Sequence, residues 1–493
     1  MLQTFKGGVY HMLGHAPQRN GPEPFLMNFD RRKALRLLSL SGAAALVPNL
    51  AKGARPTAIN SDVCILGGGA SGIYAAIRLM QLGYTVTVVE KNGYIGGHTQ
   101  TYYDPITGNP IDIGVVVFLQ TPLQENYFSA LGVSSTPVQF AASPTIDVDF
   151  RTGQPVDAYS PTEAEVAAAF LKYLELYNSR FSFLNENGYQ IPSNAPPELF
   201  LPFGDFAALY SLKPLLPTFA GYCQGYGNLF ATTAIYILKL VGPAIVDAIL
   251  GLNGAAFVNI PGGNSLLYKS AAKVLGDAVL LNAAIQSVTR TASQVQVTVD
   301  TPGGVQTITS ARLVVSFPQV LSNFQGFDLD SMESSVFTQF SAYYYGAGVV
   351  QLSGLAQTET LNNAAPNTPA NVALPPELYS FFPAGFSQLF NVKYGAVTDI
   401  PAQQAIGSIV GDIQRLDVPD LSVSLTGFPV YSSHYPFALH VPPASLESGF
   451  YDDFQGLQGH NETYYTGAAL QTHNSALIWN QTEAMVQSLV AGL

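Results

Sequence analysis

The chain has 493 residues, 47% of them hydrophobic and 11% charged, so it can bury a large core and is too long for one compact unit. A net charge of −12, with no basic stripe to neutralise phosphate, excludes nucleic acid as the partner. The two cysteines, Cys64 and Cys223, show neither metal-ligand spacing nor a disulfide pattern, so free thiols and no metal centre are expected.

In chain order, the first signal is Asp30-Arg31-Arg32-Lys33-Ala34-Leu35-Arg36 followed by the apolar, alanine-rich stretch 37–47, with small residues at Ala51, Gly53 and Ala54. This predicts a twin-arginine export signal starting near Met27, with an anchoring or amphipathic segment as the alternative. An exported protein would be periplasmic or extracellular; without the signal it would be cytoplasmic. Residues 1–26 read as an over-extended gene start or a disordered tail, and 1–54 as a leader outside the fold.

Val63-Cys64-Ile65-Leu66 has no polar alternation, as in a parallel strand buried on both faces, and runs into Gly67-Gly68-Gly69-Ala70-Ser71-Gly72. Gly67 suits a tight turn, Gly69 lets backbone approach a pyrophosphate, and Gly72 lets the next helix pack close to the sheet. Ile73, Ala76, Ile77 and Met80 fall at helical spacing, and the amide end of that helix would face phosphate through Ala70 and Ser71. Gly83 ends the helix, residues 85–89 form a second strand, and Glu90 stands where a carboxylate accepts ribose hydroxyls. Strand, glycine turn, helix, strand and acid together predict a dinucleotide-binding βαβ unit. A second glycine pair in Gly96-Gly97-His98-Thr99 favours FAD over NAD, although such a pair alone also suits an ordinary loop.

Ser160-Pro161-Thr162-Glu163 has the form of a capping box with proline at the first helical position, and residues 164–177 continue as a helix. Residues 192–217, rich in Pro, Phe and Leu, suggest a cap over a pocket. The longest apolar run, 229–252, is interrupted by Lys239, Pro243 and Asp247, so a buried or pocket-lining helix broken near Pro243 is expected rather than a membrane span. Contact of an apolar surface with a membrane face is the remaining lipid reading. Ile260-Pro261-Gly262-Gly263-Asn264-Ser265-Leu266 opens a helix, and strands follow through Ile285 and up to 313–317, with turns at Ala292-Ser293 and 302–304. Residues 341–352, 392–394 and 422–431 have strand composition. Tyr464-Tyr465-Thr466-Gly467-Ala468-Ala469 reads as a strand entering a glycine turn, and residues 475–489 as a helix whose N-terminus would stabilise negative charge.

Six blocks carry a family resemblance: GGGASG (67–72), EKNGYIGGHTQTYYDPITGNPIDIGVVVF (90–118), PGGNSL (261–266), VLGDAVLLN (274–282), RLVVSFP (312–318) and YYTGAALQTHNSALIW (464–479). On them the sequence resembles the flavin-containing amine oxidase superfamily, and within it the branch of β-cyclopiazonate dehydrogenase and related FAD oxidoreductases. The resemblance implies an α/β fold with a Rossmann-like FAD-binding domain and a second domain of mixed sheet plus helical cap for substrate. The first would comprise 60–150, 255–330 and 455–493, and the second 151–254 and 331–454. It also implies that Glu90 binds the adenosine ribose, Ile285 presents backbone to adenine, and Gly467-Ala468 face the flavin end, with Gly97 and His98 also on the cofactor. No cysteine lies near the C-terminal motif, so the FAD is expected to be noncovalent.

His98 stands where amine oxidases often carry Arg, and no flavin-facing lysine can be assigned, so amine oxidation does not follow from the family alone. A flavin can take hydride while the protein only positions substrate and excludes water. His98 and His473 are the candidate catalytic groups, each with the alternative role of hydrogen-bond partner to backbone or cofactor. His434 and His440 read as loop residues, and Tyr343-Tyr344-Tyr345 as core or aromatic wall. The expectation is an FAD oxidoreductase taking hydride from an apolar small molecule by C–N or C–C dehydrogenation, with oxygen or a quinone as acceptor. A double-bond isomerase of polyunsaturated fatty acids and a non-catalytic flavin-binding protein are the alternatives.

Overall fold

The computed structural model describes residues 57–138 and 144–493; the twin-arginine-like segment lies outside the described residues. The first sheet is centred on the strand Thr57–Leu66, which pairs in parallel with Val86–Val89 on one side and Gly304–Val315 on the other. Val63 to Leu66 are fully buried, which is why the run has no polar alternation. Val279–Leu280 extends the sheet beyond Val86–Val89. The long Gly304–Val315 strand changes partner along its far edge: its first half pairs with Gln294–Thr301, itself paired to Ala284–Thr291, and its last three residues pair in parallel with Thr463–Tyr465. The C-terminal segment is thereby brought beside the first strand's neighbour. Helix Ala70–Gln81 buries Ile73, Ala76 and Ile77, whereas Met80, expected on the same face, is 38% exposed because it lies at the helix's outer end.

The second sheet is mixed. Its strand order is Ser424–Ser433, Ser341–Ser353, Leu389–Ala396, Glu377–Pro383, Thr360–Asn363, Thr145–Asp149, Gln154–Pro155, with Phe437–His440 also on Ser341–Ser353. Thr145–Asp149, expected in the first unit, joins this sheet by parallel pairing with Thr360–Asn363. The sheet has two differently clothed faces. Tyr344, Leu378, Val392 and Tyr394 pack with helix Ala402–Arg415 through Ala405, Ile409 and Ile413. Ala347, Val349 and Leu389 on the other face pack on Ile111 and Ile113 of the hairpin formed by Thr99–Tyr103 and Pro110–Gly114.

The helical layer contains Glu163–Arg180, Phe203–Leu209, Leu216–Tyr222, Ala234–Leu240 and Pro243–Leu250. The capping box is shifted by two residues from its expected place: Thr162 is the N-cap, its hydroxyl accepts from Glu165 N–H, and the Glu165 carboxylate accepts from Thr162 N–H. Pro161 therefore precedes the cap. The apolar run does break at Pro243, leaving two short buried helices. Among the described residues no helix is long and apolar enough to cross a membrane.

Candidate active site

Gly67 leaves its strand at φ +110°, a conformation that favours glycine, and its N–H reaches Val89 O at 2.9 Å. Glu90 ties the turn to the second strand: Oε2 accepts from Gly68 N–H at 2.6 Å and Oε1 from Asn92 N–H at 2.8 Å. The second glycine pair stacks on the first turn. Gly96 N–H donates to Gly68 O at 2.7 Å, and a Cβ on Gly97, which has φ +56°, would stand 3.2 Å from Gly69 Cα. The glycines of the turn have different tasks. A side chain on Gly72 would strike the Gly67 carbonyl, whereas one on Gly69 would meet nothing within 4 Å. No side chain caps the helix at Gly69, so the N–H groups of its first turn are left for an anion. Open space before Gly69, uncapped amides and a carboxylate at the second strand's end fit the pyrophosphate and ribose of FAD.

The C-terminal segment closes the opposite side. Gly467 turns at φ +119° after Thr463–Tyr465, and Asn474 caps helix Ser475–Ala491 by accepting Leu477 N–H at 3.2 Å. This helix lies against the first one: Trp479 Nε1 donates to Ala70 O at 3.2 Å, Tyr74 OH to Glu483 at 2.8 Å, and Arg78 pairs with Glu483 at 3.0 Å. The two ends of the described chain thus frame a cavity of about 1590 Å³. Its lining includes Gly67, Gly69, Ala70, Ser71, Glu90, Gly97, His98, Ile285, Gly467, Ala468 and His473. Gly72 alone of the expected site residues stands behind the wall, where its packing role puts it.

Three imidazoles gather in the cavity. His98 and His434 stack with centroids 4.3 Å apart, His98 and His473 are 6.3 Å apart, and Phe437 stacks on His473 at 3.7 Å. Burial, with a smaller push from Lys91, lowers His98 to about 4. Burial, reinforced by neighbouring imidazoles, takes His434 and His473 well below the usual value, so all three rings are neutral at pH 7. His473 Nε2 accepts Ala438 N–H at 2.9 Å, which is the backbone-partner role. The backbone N–H of His473 donates to the hydroxyl of Tyr226, which also meets the hydroxyl of Thr472.

His434 lies in a loop, as expected, between the strands Ser424–Ser433 and Phe437–His440, but it is 2% exposed, abuts Gly114 and, among the described residues, has no hydrogen-bond partner at either ring nitrogen. His440, expected in a loop, instead closes the strand Phe437–His440 and stacks on Tyr343 at 4.1 Å. Of the three tyrosines, Tyr345 lines the cavity while Tyr344 is buried in the second core.

Other groups missed in the sequence also line this space. Asp112 Oδ1 accepts from Thr101 OH at 2.6 Å and Asn264 N–H at 2.9 Å, which pins the PGGN loop to the hairpin; burial outweighs these bonds and raises the carboxyl to about 7. Burial raises Glu377 to about 8, against a smaller opposing effect of Arg151. Lys393 is lowered to about 8 by burial. Its signal in the sequence is a single charge inside the otherwise uncharged strand Leu389–Ala396. His434 had no local signal.

Comparison with known proteins identifies the family. The family described as flavin containing amine oxidoreductase matches residues 70–319. The FAD-dependent oxidoreductase pigF of Monascus ruber is 33% identical over 442 residues, 88% of this chain and 93% of that protein. The β-cyclopiazonate dehydrogenase of Aspergillus flavus is 31% identical over 462 residues, 93% of this chain and 100% of that protein. Among solved structures, a CLA-producing fatty acid isomerase from P. acnes superposes with a TM-score of 0.70 at 17% identity, covering 87% of this chain and 98% of that one. Cyclohexylamine oxidase from Brevibacterium oxydans superposes with a TM-score of 0.57 at 18% identity, covering 87% and 99%. At such identity these two likenesses concern the fold. The chain belongs to the flavin-containing amine oxidase family and is an FAD-dependent oxidoreductase.

Proposed function

We propose that the protein oxidises a largely apolar small molecule by C–N or C–C dehydrogenation, using noncovalently held FAD, with oxygen or a quinone as the final acceptor. The observation that carries this reading is the cluster of neutral imidazoles and aromatic rings walled into the same cavity as the glycine turn. Bound FAD supplies the hydride-accepting chemistry. The first helix's amides and the Gly67–Gly69 turn hold the pyrophosphate, Glu90 the ribose, Ile285 the adenine side, and Gly467-Ala468 the flavin side.

The chain's own contribution is positioning and exclusion of water rather than an ionised acid–base pair. His98 and His434 form a stacked, uncharged pair, and the His473 ring is held through Nε2, which accepts Ala438 N–H, while its backbone N–H donates to Tyr226. A proton released from substrate would find neutral imidazole nitrogens on His98 or His434. The name of the dehydrogenase relative is consistent with the dehydrogenation reading.

Anaerobic mixing of the yellow holoprotein with a panel of amines and unsaturated lipids tests the reaction class. Lasting bleaching of the flavin by a substrate is expected. Product formed without an acceptor, with the flavin back in its oxidised colour, would replace the proposal with double-bond isomerisation. Protein that purifies colourless and takes up no added FAD would leave only a binding role.

A further inference from the structure

A buried ammonium is costly unless acceptors surround it or an anion meets it. The chain shows what full compensation looks like at Lys239. Its Nζ donates to the carbonyls of Leu184, Glu186 and Gly188 at 2.7, 2.8 and 2.6 Å. Lys393 is only half-buried, its side chain lining the cavity, and has nothing of the kind: among the described residues it makes no hydrogen bond and no ion pair. The other cationic residue of the lining, Lys91, is exposed beside Glu90 at the far, dinucleotide end.

Strand register places this charge. Lys393 is opposite Ala347, and Ala347 is opposite Ser432, so the three share one face across adjacent strands. Ala347 packs on the hairpin residues Ile111 and Ile113, so this is the face turned to the glycine-rich half of the molecule. Ser432 stands two residues before His434, so the register brings Lys393 towards the imidazole cluster, and its charge adds to the downward push on the His434 ring. The neighbouring wall is mixed: Tyr345, Phe382, Ala384 and Phe386 supply apolar surface, and Asn391, Ser432 and Glu377 supply polar groups.

We propose that Lys393 anchors an anionic group of the substrate, so that the cavity takes apolar molecules bearing one acidic function, a carboxylate or an ionised enol, next to the neutral histidines. The assignment rests on the flavoenzyme reading above and narrows its substrate class. The anion would supply the missing counter-charge, and the apolar part of the wall would accept the remainder of the molecule. Lysine, as a compact charge on a long stem, tolerates different acidic groups better than a bidentate guanidinium would.

The test is a binding measurement on the FAD-loaded full chain with decanoate and decan-1-ol, read by calorimetry and by perturbation of the flavin absorbance. Wild-type protein is expected to bind decanoate more tightly than the alcohol. Lys393→Met should weaken decanoate by about 10- to 100-fold, the size of a hydrogen bond to a charged group, and leave the alcohol unchanged. Lys393→Arg should restore part of the preference. Equal loss for both probes, no loss for decanoate, or no binding of either probe to yellow wild-type protein would overturn the assignment. So would loss of FAD from Lys393→Met, which would put the lysine on the cofactor. Because binding is read rather than turnover, the anchor can fail while the protein still bleaches with another substrate, and the two readings fail separately.

Discussion

Single residues in this site are specialised by what stands in front of them. Gly69 and Gly72 belong to one motif, but only Gly72 is needed by the fold, since its Cβ would meet the Gly67 carbonyl while that of Gly69 would meet open space. Gly69→Val is therefore expected to leave the apoprotein folded, within about 0.5 kcal/mol of wild type as for an unhindered surface change, and to abolish FAD retention. The visible-to-ultraviolet absorbance ratio and an apoprotein melting curve check this; a yellow variant would dissociate Gly69 from the pyrophosphate. Glu377 makes a pH prediction. Burial raises its carboxyl from the ordinary value of 4.5 to about 8, so it is protonated at pH 7 in the folded chain and ionised when unfolded. The sign follows: the unfolded state releases this proton first, and stability falls as pH rises from about 4.5 through about 8, by at most about 5 kcal/mol. In Glu377→Gln that loss should vanish. Urea midpoints of both proteins between pH 5 and 8.5 should converge at the acid end and separate at the alkaline end; parallel curves would mean that Glu377 is ionised throughout.

At the scale of elements, strand Ala284–Thr291, helix Ser331–Phe337 and strand Thr463–Tyr465 are joined by a buried ion network rather than by apolar packing alone. Arg290, on strand Ala284–Thr291, meets Glu333 of helix Ser331–Phe337 at 2.5 and 2.8 Å and Asp328 at 2.7 Å, with Arg290 1% and Glu333 0% exposed. Thr463 and Tyr465 of the C-terminal strand complete it through Arg290 and the Glu333 carboxylate. Removing one member strands the other in a dry site. Arg290→Ala should cost about 3–5 kcal/mol in urea unfolding, and Arg290→Met with Glu333→Leu should recover much of it, because the uncompensated charge is gone. A double variant no better than the single one would assign the loss to packing. The elements themselves were readable where the cause is local. Proline at 243 divides the apolar run, and Val63 to Leu66 show their double-sided burial as an unbroken apolar stretch. The capping box near residue 162 was displaced because Ser160 and Thr162 both offer a hydroxyl three residues before an acid, and only backbone geometry selects between them.

For the whole molecule, the cavity exists because strand Gly304–Val315 changes partners, bringing Thr463–Tyr465 and the helix after it against the first helix, while the second sheet covers the hairpin. The FAD-binding half announced itself in sequence because its parts are adjacent in the chain: Gly67 to Gly72, the following helix and Glu90 all lie within one βαβ unit. His434, Lys393 and Glu377 carry no such signature. Their chemistry comes from neighbours tens to hundreds of residues away in the chain, and a lysine in a strand or a histidine after one is an ordinary event until its surroundings are known. Thr145–Asp149 likewise gave no hint that its partner would be Thr360–Asn363. Local spacing by itself determined the cofactor turn, because backbone φ, glycine contacts and burial periodicity act over a few residues, and the six motif blocks carried the resemblance that implied the family and the fold class. Only the tertiary structure decided which imidazoles meet, that they are neutral, and that an unpaired ammonium faces them, because desolvation and pairing depend on groups that long-range packing brings together.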